Sequence, residues 1–522
     1  MSLVRNTLVQ SSLTLVSRIL GFVRDILLAA RIGAGPIGDA WTTALMFPNL
    51  FRRIFAEGAF ASAFVPTYSR TLEAEGPEAA AKVASETLRA LFAITAALTL
   101  LAQFAMPWLL LLVHGGQSDD RENFELAILL TRITMPYLTC MSIAALLSGV
   151  LNSSGRFFLS AAAPTILNIC LIAVGLIFVP PEETAEAAAW ATLLAGALQA
   201  GLLFWGVRRQ KVTLSIFDWP KMTSGVKKVM ALAIPGTIAA SGTQINIIVS
   251  QSLASFEVGA KTWLYYADRL YQLPLGLVGV AVGVAILPRL SRAARSSDQK
   301  AGFATMDEGI GLALALTLPA AAALAVAPAF LVEGFFTRGA FTSVDAAFSG
   351  RALFHYAWGV PAFVLIKVLA PAYFAHEDTK TPMAFALISV AINTILGAGL
   401  FFWLQSIGVQ GFPGLAIATS AAAWVNVILL FGRLIRKDWY RPGPQLISRA
   451  IRSTIATAIM AAALFVMLDY KDALRAYLFD NKVFTTAFVI LSGMGIYGVS
   501  AIVTGAVRLR DFKTLVRRRT VE

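Results

Sequence analysis

Residues 84–113, ASETLRALFAITAALTLLAQFAMPWLLLLV, decide the fold, because no charged side chain occurs between Ala90 and Val113. A helix needs about 20 mostly apolar residues to cross a hydrocarbon core of about 30 Å. A strand of a membrane β-barrel crosses with about 10 residues of alternating polarity. This run is too long and too evenly apolar for such a strand. It therefore predicts a membrane-spanning helix.

Runs of the same kind recur along the whole chain of 522 residues. Charged residues make up 14% of the chain, whereas soluble proteins contain about 25%. We therefore predict an all-α polytopic membrane protein with fourteen transmembrane helices. The predicted helices lie near 8–30, 38–69, 84–113, 124–151, 158–179, 187–207, 227–253, 262–288, 306–332, 346–374, 382–404, 412–434, 450–468 and 483–507.

The charges of the loops predict the orientation of the chain. The net charge is +13, and Lys and Arg are concentrated in connections 208–228, 289–300 and 433–441 and in the tail 508–519. Because basic loops stay on the cytoplasmic side, both termini are predicted to be cytoplasmic, in agreement with an even number of helices. The positive charge is thus explained by membrane topology, and no nucleic-acid partner is expected.

A weak internal repeat predicts two lobes. Several residues recur at nearly equal spacing: Pro66, Ser69 and Arg70 as Pro288, Ser291 and Arg292, and Pro136 and Asn168 as Pro361 and Asn393. Two six-helix lobes of the same orientation form a parallel pseudo-repeat. We predict an N-terminal lobe at 1–222, a C-terminal lobe at 223–440, and two extra helices with a basic cytoplasmic tail at 441–522.

Charged residues at membrane depth are the candidate functional groups. A charge in the middle of the bilayer costs about 2.5–3.5 kcal/mol on insertion scales, so such groups face a protein interior or an aqueous cavity. The predicted first, second and eighth helices carry Arg18, Arg24, Asp25, Asp39, Arg52, Arg53, Glu57, Asp268 and Arg269.

Two interpretations of these charges stay open. In the first they form structural ion pairs: Arg24 with Asp25 or Asp39, Arg52 with Glu57, and Arg269 with Asp268. Adjacent residues on a helix do not face each other, so the neighbouring pairs are expected to need partners elsewhere. In the second, the arginines surround one cavity between the lobes. Guanidinium groups suit phosphate, so several together would bind a diphosphate.

The sequence contains no motif typical of a soluble enzyme. It lacks a glycine-rich phosphate loop ending in Lys-Ser or Lys-Thr, and it lacks His-Glu-x-x-His. We therefore expect no catalytic residues, no metal site, no cofactor and no ATP hydrolysis by this chain. His376, Glu377 and Asp378 are interpreted as a solvated polar turn at the end of a helix.

Seven motifs resemble the MurJ (MviN) family of lipid II flippases, and the resemblance covers nearly the whole chain. They are SRILGFVRD (17–25), GDA (38–40), FPNLFRRIFAEGAF (47–60), AFVP (63–66), YYADRLYQLP (265–274), RGAFT (338–342) and DTKTP (378–382).

The resemblance implies a multi-pass protein of the bacterial inner membrane, with the fold of the MOP exporter superfamily. It implies that lipid II, the undecaprenyl-diphosphate-linked peptidoglycan precursor, moves from the cytoplasmic to the periplasmic leaflet by alternating access. Helices 13 and 14 would shape a groove for the polyprenyl tail. The implied substrate-binding residues are Arg18, Arg24, Arg52 and Arg269, and the supporting residues are Asp25, Asp39, Asn49, Glu57 and Asp268.

The partners expected are lipid II and membrane lipids, with a coupling cation or the membrane potential as the source of energy. The resemblance implies that some relatives bind sodium in the C-terminal lobe, through helices 7, 11 and 12. Helix 7 here has no carboxylate, so no ion site is assigned. Three alternatives remain: an exporter of drugs or of another polyprenyl-diphosphate oligosaccharide, a membrane-embedded transferase, and a scaffold. The cationic character of the candidate cavity argues against cationic drugs.

Overall fold

The structure is a computed structural model that describes residues 3–55, 59–215, 218–219, 223–276 and 299–506. Apart from one short 3-10 turn at Gly115–Gln117, every regular element in these ranges is an α-helix. The helices are α1 Leu3–Ile32, α2 Pro36–Phe55, α3 Ala59–Glu75, α4 Pro77–His114, α5 Arg121–Thr134, α6 Tyr137–Ser153, α7 Phe157–Gly175, α8 Pro181–Arg208, α9 Ser224–Ala254, α10 260–276, α11 Gln299–Val326, α12 Pro328–Phe336, α13 Ser343–Ala357, α14 Val360–Ala375, α15 Lys380–Ser406, α16 Phe412–Arg436, α17 Pro444–Asp469, α18 Lys471–Tyr477 and α19 Lys482–Val503.

The helices confirm the predicted class of fold. Within the described ranges, ten helical segments are long and apolar enough to cross a membrane. On α4 the large side chains of Phe104 and Trp108 are 77% and 70% exposed, as expected for a helix that faces lipid. Because 56–58 and 277–298 lie outside the described residues, the total of fourteen helices stays a prediction.

Two predicted helices are broken at matching proline residues, and a third, 306–332, is broken between α11 and α12 at Pro328. Predicted helix 124–151 consists of α5 and α6, which meet at Pro136, and predicted helix 346–374 consists of α13 and α14, which meet just before Pro361. Proline lacks the N–H that would continue the helical hydrogen bonds. The two broken spans, Arg121–Ser153 and Ser343–Ala375, have 33 residues each, and the equal breaks support the internal repeat.

The second pair of repeat markers also occupies matching places. Asn168 lies in α7 and Asn393 in α15, the helices that follow the two broken spans, and both side chains are buried. Pro288, Ser291 and Arg292 lie outside the described residues.

By internal packing the chain divides into two compact units. The first contains Met1–Thr262 and Arg338–Thr342. In this unit α1 packs on α7, α2 on α5, and α9 on α3 and α4. Its core includes Trp41, Met106 and Leu130, which are almost completely buried. This core holds the first turns of α2 beside the ends of α4 and α5.

The second unit contains Trp263–Thr337 and Ser343–Glu522. Here α15 packs on α16, α11 on α14 and α17, and α17 on α19. Its main core surrounds Tyr373 and Tyr440, neither of which is exposed. The predicted boundaries at 222 and 440 concern a sequence repeat, which helix packing does not test, and they stay a prediction.

The RGAFT motif gains a structural explanation within the first unit. The backbone N–H of Ala340 donates to the Ala30 carbonyl at 2.9 Å, beside the end of α1. Gly339 has φ +54°, and a Cβ atom there would lie 2.1 Å from that carbonyl oxygen. A side chain at this position is therefore excluded both by the backbone conformation and by the close approach.

Candidate functional site

Arg24 is held between α1 and α7 in the first unit. Its Nε and Nη2 atoms donate to Asp25 Oδ1 at 2.9 and 2.7 Å, and its Nη1 donates to Asn168 Oδ1 at 2.9 Å. The Asn168 amide in turn donates to the Ser17 carbonyl at 2.8 Å. The side chains of Arg24 and Asp25 are only 12% and 4% exposed. Two helices thus fix the orientation of one nearly buried guanidinium group.

This geometry corrects one expectation. We expected Arg24 and Asp25 to need separate partners, because adjacent side chains leave a helix in different directions. That expectation was wrong: the arginine side chain is long enough to curve around the helix to the short carboxylate of its neighbour. Asn168, predicted only as a repeat marker, supplies the contact to the second helix.

Arg18 lies earlier on the same helix. Its side chain is exposed, and it makes no hydrogen bond or ion pair with any residue in the described ranges. Of the two candidate site arginines on α1, Arg24 is therefore anchored and Arg18 is exposed.

A hydroxyl group occupies the carbonyl that Pro48 leaves without a helical donor in α2. Pro48 has no N–H to donate to the Ala44 carbonyl, and the buried Thr134 hydroxyl of α5 donates to that oxygen instead, at 2.9 Å. The Asn49 amide donates to the Leu45 carbonyl at 2.9 Å. A side chain from a second helix thus compensates for the hydrogen bond that Pro48 cannot make.

Two further predicted residues follow on the same segment. Arg52 belongs to α2, but its side chain lies outside the described residues, and so does the whole of Glu57.

Arg269 and Asp268 lie on α10 in the second unit. Arg269 Nη2 donates to the Tyr265 hydroxyl at 3.0 Å, and the guanidinium carbon lies 4.5 Å from the centre of that ring. Asp268 accepts a hydrogen bond from the Gln272 amide. Both charged groups therefore have contacts one helical turn away, which fix their orientation along α10.

Asp39 is the centre of a second cluster in the first unit. Its carboxylate is completely buried and accepts from Gln117 Nε2 at 2.8 Å, from the Gly259 N–H at 2.7 Å, and from the Thr262 N–H and hydroxyl at 3.0 and 2.8 Å. The two backbone donors lie at the start of α10, where N–H groups have no partner within the helix. Asp39 therefore caps α10 from α2.

Lys261 is buried beside this cap. Its ammonium group donates to the Thr43 hydroxyl at 2.8 Å and to the Val113 carbonyl at 2.7 Å, and it lies 2.7 Å from His114 Nδ1. Lys261 and His114 are both 0% exposed. If the ammonium donates all three of its protons, His114 Nδ1 is the third acceptor, and this assigns the ring proton to Nε2. Lys261 interacts electrostatically with the buried Asp39 carboxyl group.

Sequence reasoning identified Asp25 as a partner of Arg24, but it identified neither Asn168 nor the partners of Asp39. Asp39 was expected to support the arginines, but its hydrogen bonds go to Gln117, Gly259 and Thr262. The sequence did not indicate His114 or Lys261 as candidate residues. A signal was present on one side only, since Lys261 lies at the start of an apolar stretch that includes Trp263 and Leu264.

Within the described residues, no metal site competes with these assignments. Across the described ranges, no group of three His, Cys, Asp or Glu side chains is arranged to hold a metal ion. His376 instead stacks on Trp439 with ring centres 4.1 Å apart.

The turn at Gly115–Gln117 gives a stability prediction. A Cβ atom on Gly116 would lie 2.5–2.6 Å from backbone atoms of Ser255 and Phe256, whereas one on Gly115 would meet nothing within 4 Å. Gly116→Ala should therefore lower the thermal unfolding temperature of the purified protein, because backbone atoms must move apart. Gly115→Ala is the matched control and should leave that temperature unchanged. Equal unfolding temperatures for both variants would contradict the close packing.

Comparison with known proteins gives consistent results. The sequence model of the family described as "Lipid II flippase MurJ" matches residues 28–483. The "Probable lipid II flippase MurJ" of Rhizobium meliloti (strain 1021) is 40% identical, over 99% of this chain and 97% of that protein.

Solved structures agree with the sequence matches. A structure titled "Lipid II flippase MurJ, inward closed conformation" superposes with a TM-score of 0.77 at 27% identity, over 95% of this chain and 98% of that one. An inward-facing multidrug transporter of the MATE family and MOP superfamily shares the fold, with a TM-score of 0.66 at 16% identity over 83% of this chain and 98% of that one.

Proposed function

Because the chain belongs to the MurJ family of lipid II flippases, we propose that the arginines of α1, α2 and α10 bind the lipid II diphosphate during transport. The protein is a lipid II flippase of the MOP superfamily, and hence a transporter and not an enzyme. It is a multi-pass membrane protein, and its function belongs to peptidoglycan and cell-wall biosynthesis.

The geometry of Arg24 carries the proposal about the site. A buried guanidinium group held by Asp25 and Asn168 keeps one orientation, so little conformational entropy is lost when an anion binds. A phosphate oxygen is an acceptor of the same kind as the Asp25 carboxylate. The diphosphate therefore exchanges with Asp25 as the partner of Arg24, and both the empty and the loaded states keep the cation satisfied.

Arg18, Arg52 and Arg269 complete the proposed set of cations. Arg18 is exposed and makes no hydrogen bond or ion pair within the described ranges, and Arg269 is oriented by Tyr265. Asp25, Asn49, Glu57 and Asp268 are proposed to orient or balance these groups. The Asp39 cluster belongs to the packing of the first unit, and its part in transport is to hold the start of α10.

The polyprenyl tail is proposed to lie along α17 and α19. α17 presents a stripe of isoleucines at intervals of one helical turn, each 46–56% exposed: Ile447, Ile451, Ile455 and Ile459. These two helices pack on each other, and an isoprenoid chain matches their apolar surface.

We propose cytoplasmic termini and alternating access, with transport towards the periplasmic leaflet. The orientation is supported by the basic connections 208–228, 289–300 and 433–441, because basic loops stay on the cytoplasmic side. Outward movement of an anion is favoured by the membrane potential, by about 2.3 kcal/mol per charge per 100 mV. This energy drives the cycle without ATP.

Depletion of the protein in its host tests the function. We expect lipid II to accumulate on the cytoplasmic face, since the head group cannot cross without the flippase. Accessibility of lipid II to an added enzyme or label on the outer face measures this, and the wild-type gene should restore it. Normal exposure of lipid II, together with internal accumulation of another polyprenyl-diphosphate oligosaccharide, would show a different cargo.

A further inference from the structure

A cavity of about 470 Å³ lies between α15 and α16 in the second unit, and we call it the α15–α16 groove. Its apolar wall includes Phe385, Ile428 and Leu429, and its end is lined by Gly432, Arg433 and Arg436. None of these residues belongs to the proposed diphosphate site.

The apolar part of the groove is open to the surroundings. Ile428 is 65% exposed, and the neighbouring Leu387 and Ile388 of α15 are 47% and 44% exposed. Gly432 adds space, because a Cβ atom there would meet nothing within 4 Å. Since both helices are long and apolar enough to span a membrane, this part of the groove faces hydrocarbon.

The charged end of the groove lies where the span ends. Arg433 and Arg436 occupy the last turn of α16, and both are exposed. Neither makes a hydrogen bond or an ion pair with a residue in the part of the chain that the structure describes. Two guanidinium groups thus lie at the mouth of an apolar slot.

Nearby carboxylates are already neutralised. Asp378 accepts from the Thr381 N–H and hydroxyl and pairs with Lys437 at 3.3 Å. The backbone N–H of Thr381, with its hydroxyl and Lys437, holds the pKa of Asp378 below its usual range, so that carboxylate stays ionised and engaged. Asp438 pairs with Arg441. Neither carboxylate pairs with Arg433 or Arg436, so the positive charges of these two arginines are not neutralised by them.

We propose that the α15–α16 groove binds an anionic phospholipid of the surrounding membrane. Arg433 and Arg436 contact the phosphate, and Phe385, Ile428 and Leu429 contact the first part of one acyl chain. A soluble phosphate would use the arginines but leave the apolar wall uncovered. A zwitterionic lipid would fill the wall but carry an ammonium group towards two cations. An anionic lipid matches both parts.

Photo-crosslinking of the full-length protein in nanodiscs tests the site. The probes are phosphatidylglycerol and phosphatidylethanolamine that carry the same photoreactive acyl chain, and peptide mapping locates the adducts. We expect phosphatidylglycerol to label residues 381–436 preferentially. Each cation beside an anionic lipid contributes roughly fivefold in affinity, so Arg433→Gln with Arg436→Gln should weaken labelling about 25-fold. Gly432→Trp should block the slot and also reduce labelling.

Matched variants test whether the loss of labelling comes from the α15–α16 groove itself or from any loss of positive charge or gain of side-chain volume. Arg208→Gln with Arg209→Gln removes two arginines from the end of α8, and Gly399→Trp adds the same bulk on α15, where a Cβ atom also meets nothing. Both should label like the wild type. Equal labelling by the two lipids, or equal losses in test and control variants, would overturn the proposal. If the groove variants lose lipid II binding but keep phosphatidylglycerol labelling, the proposal is also overturned, and the groove is assigned to the cargo.

Discussion

Replacing Arg24 by alanine should reduce lipid II flipping below the level that growth requires, while the protein remains folded and inserted. Each hydrogen bond from a charged group to phosphate contributes roughly 1.5–3 kcal/mol, so losing it lowers the transport rate by about 10- to 100-fold or more. The measurement is outward exposure of lipid II in a strain whose only copy carries the change. Normal growth and normal exposure would refute the assigned role of Arg24.

Arg31 provides a matched control on the same helix. Its Nε donates to the Gly175 carbonyl of α7 at 3.0 Å, and its guanidinium carbon lies 3.4 Å from the centre of the Phe178 ring. It therefore joins the same two helices as Arg24, without a carboxylate partner in these contacts. Arg31→Ala should keep flipping activity. If both alanine variants fail equally, the α1–α7 contact and not phosphate binding explains the loss.

Arg24→Lys separates charge from geometry. Lysine keeps the positive charge but cannot present the planar fork that contacts Asp25 and Asn168 together. We expect the variant to insert normally and to flip lipid II more slowly than the wild type but faster than Arg24→Ala. Activity equal to that of the wild type would show that charge alone is sufficient.

Replacing Asp39 by leucine should strongly destabilise the first unit. The change leaves the buried donors of Gln117, Gly259 and Thr262 without an acceptor, and the Lys261 ammonium without a balancing charge. Removing one partner from a buried charged pair costs about 3–5 kcal/mol. Thermal unfolding of the purified protein, or the yield of folded protein, measures the effect.

Two variants control the Asp39 experiment. Asp119 is exposed on the nearby connection, and Asp119→Leu should leave the unfolding temperature unchanged. The double variant Asp39→Leu with Lys261→Met removes both buried charges. It should be less destabilised than the sum of the single variants, because neither charge remains uncompensated. Strict additivity would show that the two charges do not balance each other.

The sequence by itself determined the class of fold and the list of charged candidates. The length and polarity of a segment decide whether it crosses a membrane, and both are local properties. The breaks at Pro136 and Pro361 also have a local cause, since proline lacks a backbone N–H, although the predicted helices 124–151 and 346–374 ran across both positions. The cost of a charge in hydrocarbon selected Arg24, Asp39 and Arg269 without any knowledge of their partners.

Only the tertiary structure decided the partners. Arg24 contacts Asn168, 144 positions away, and Asp39 caps a helix through Gly259, 220 positions away. Sequence spacing predicts contacts along one helix, but which faces of distant helices meet depends on the packing of the whole unit. The polar partners follow from that packing, because a buried charge is stable only where distant donors and acceptors converge on it.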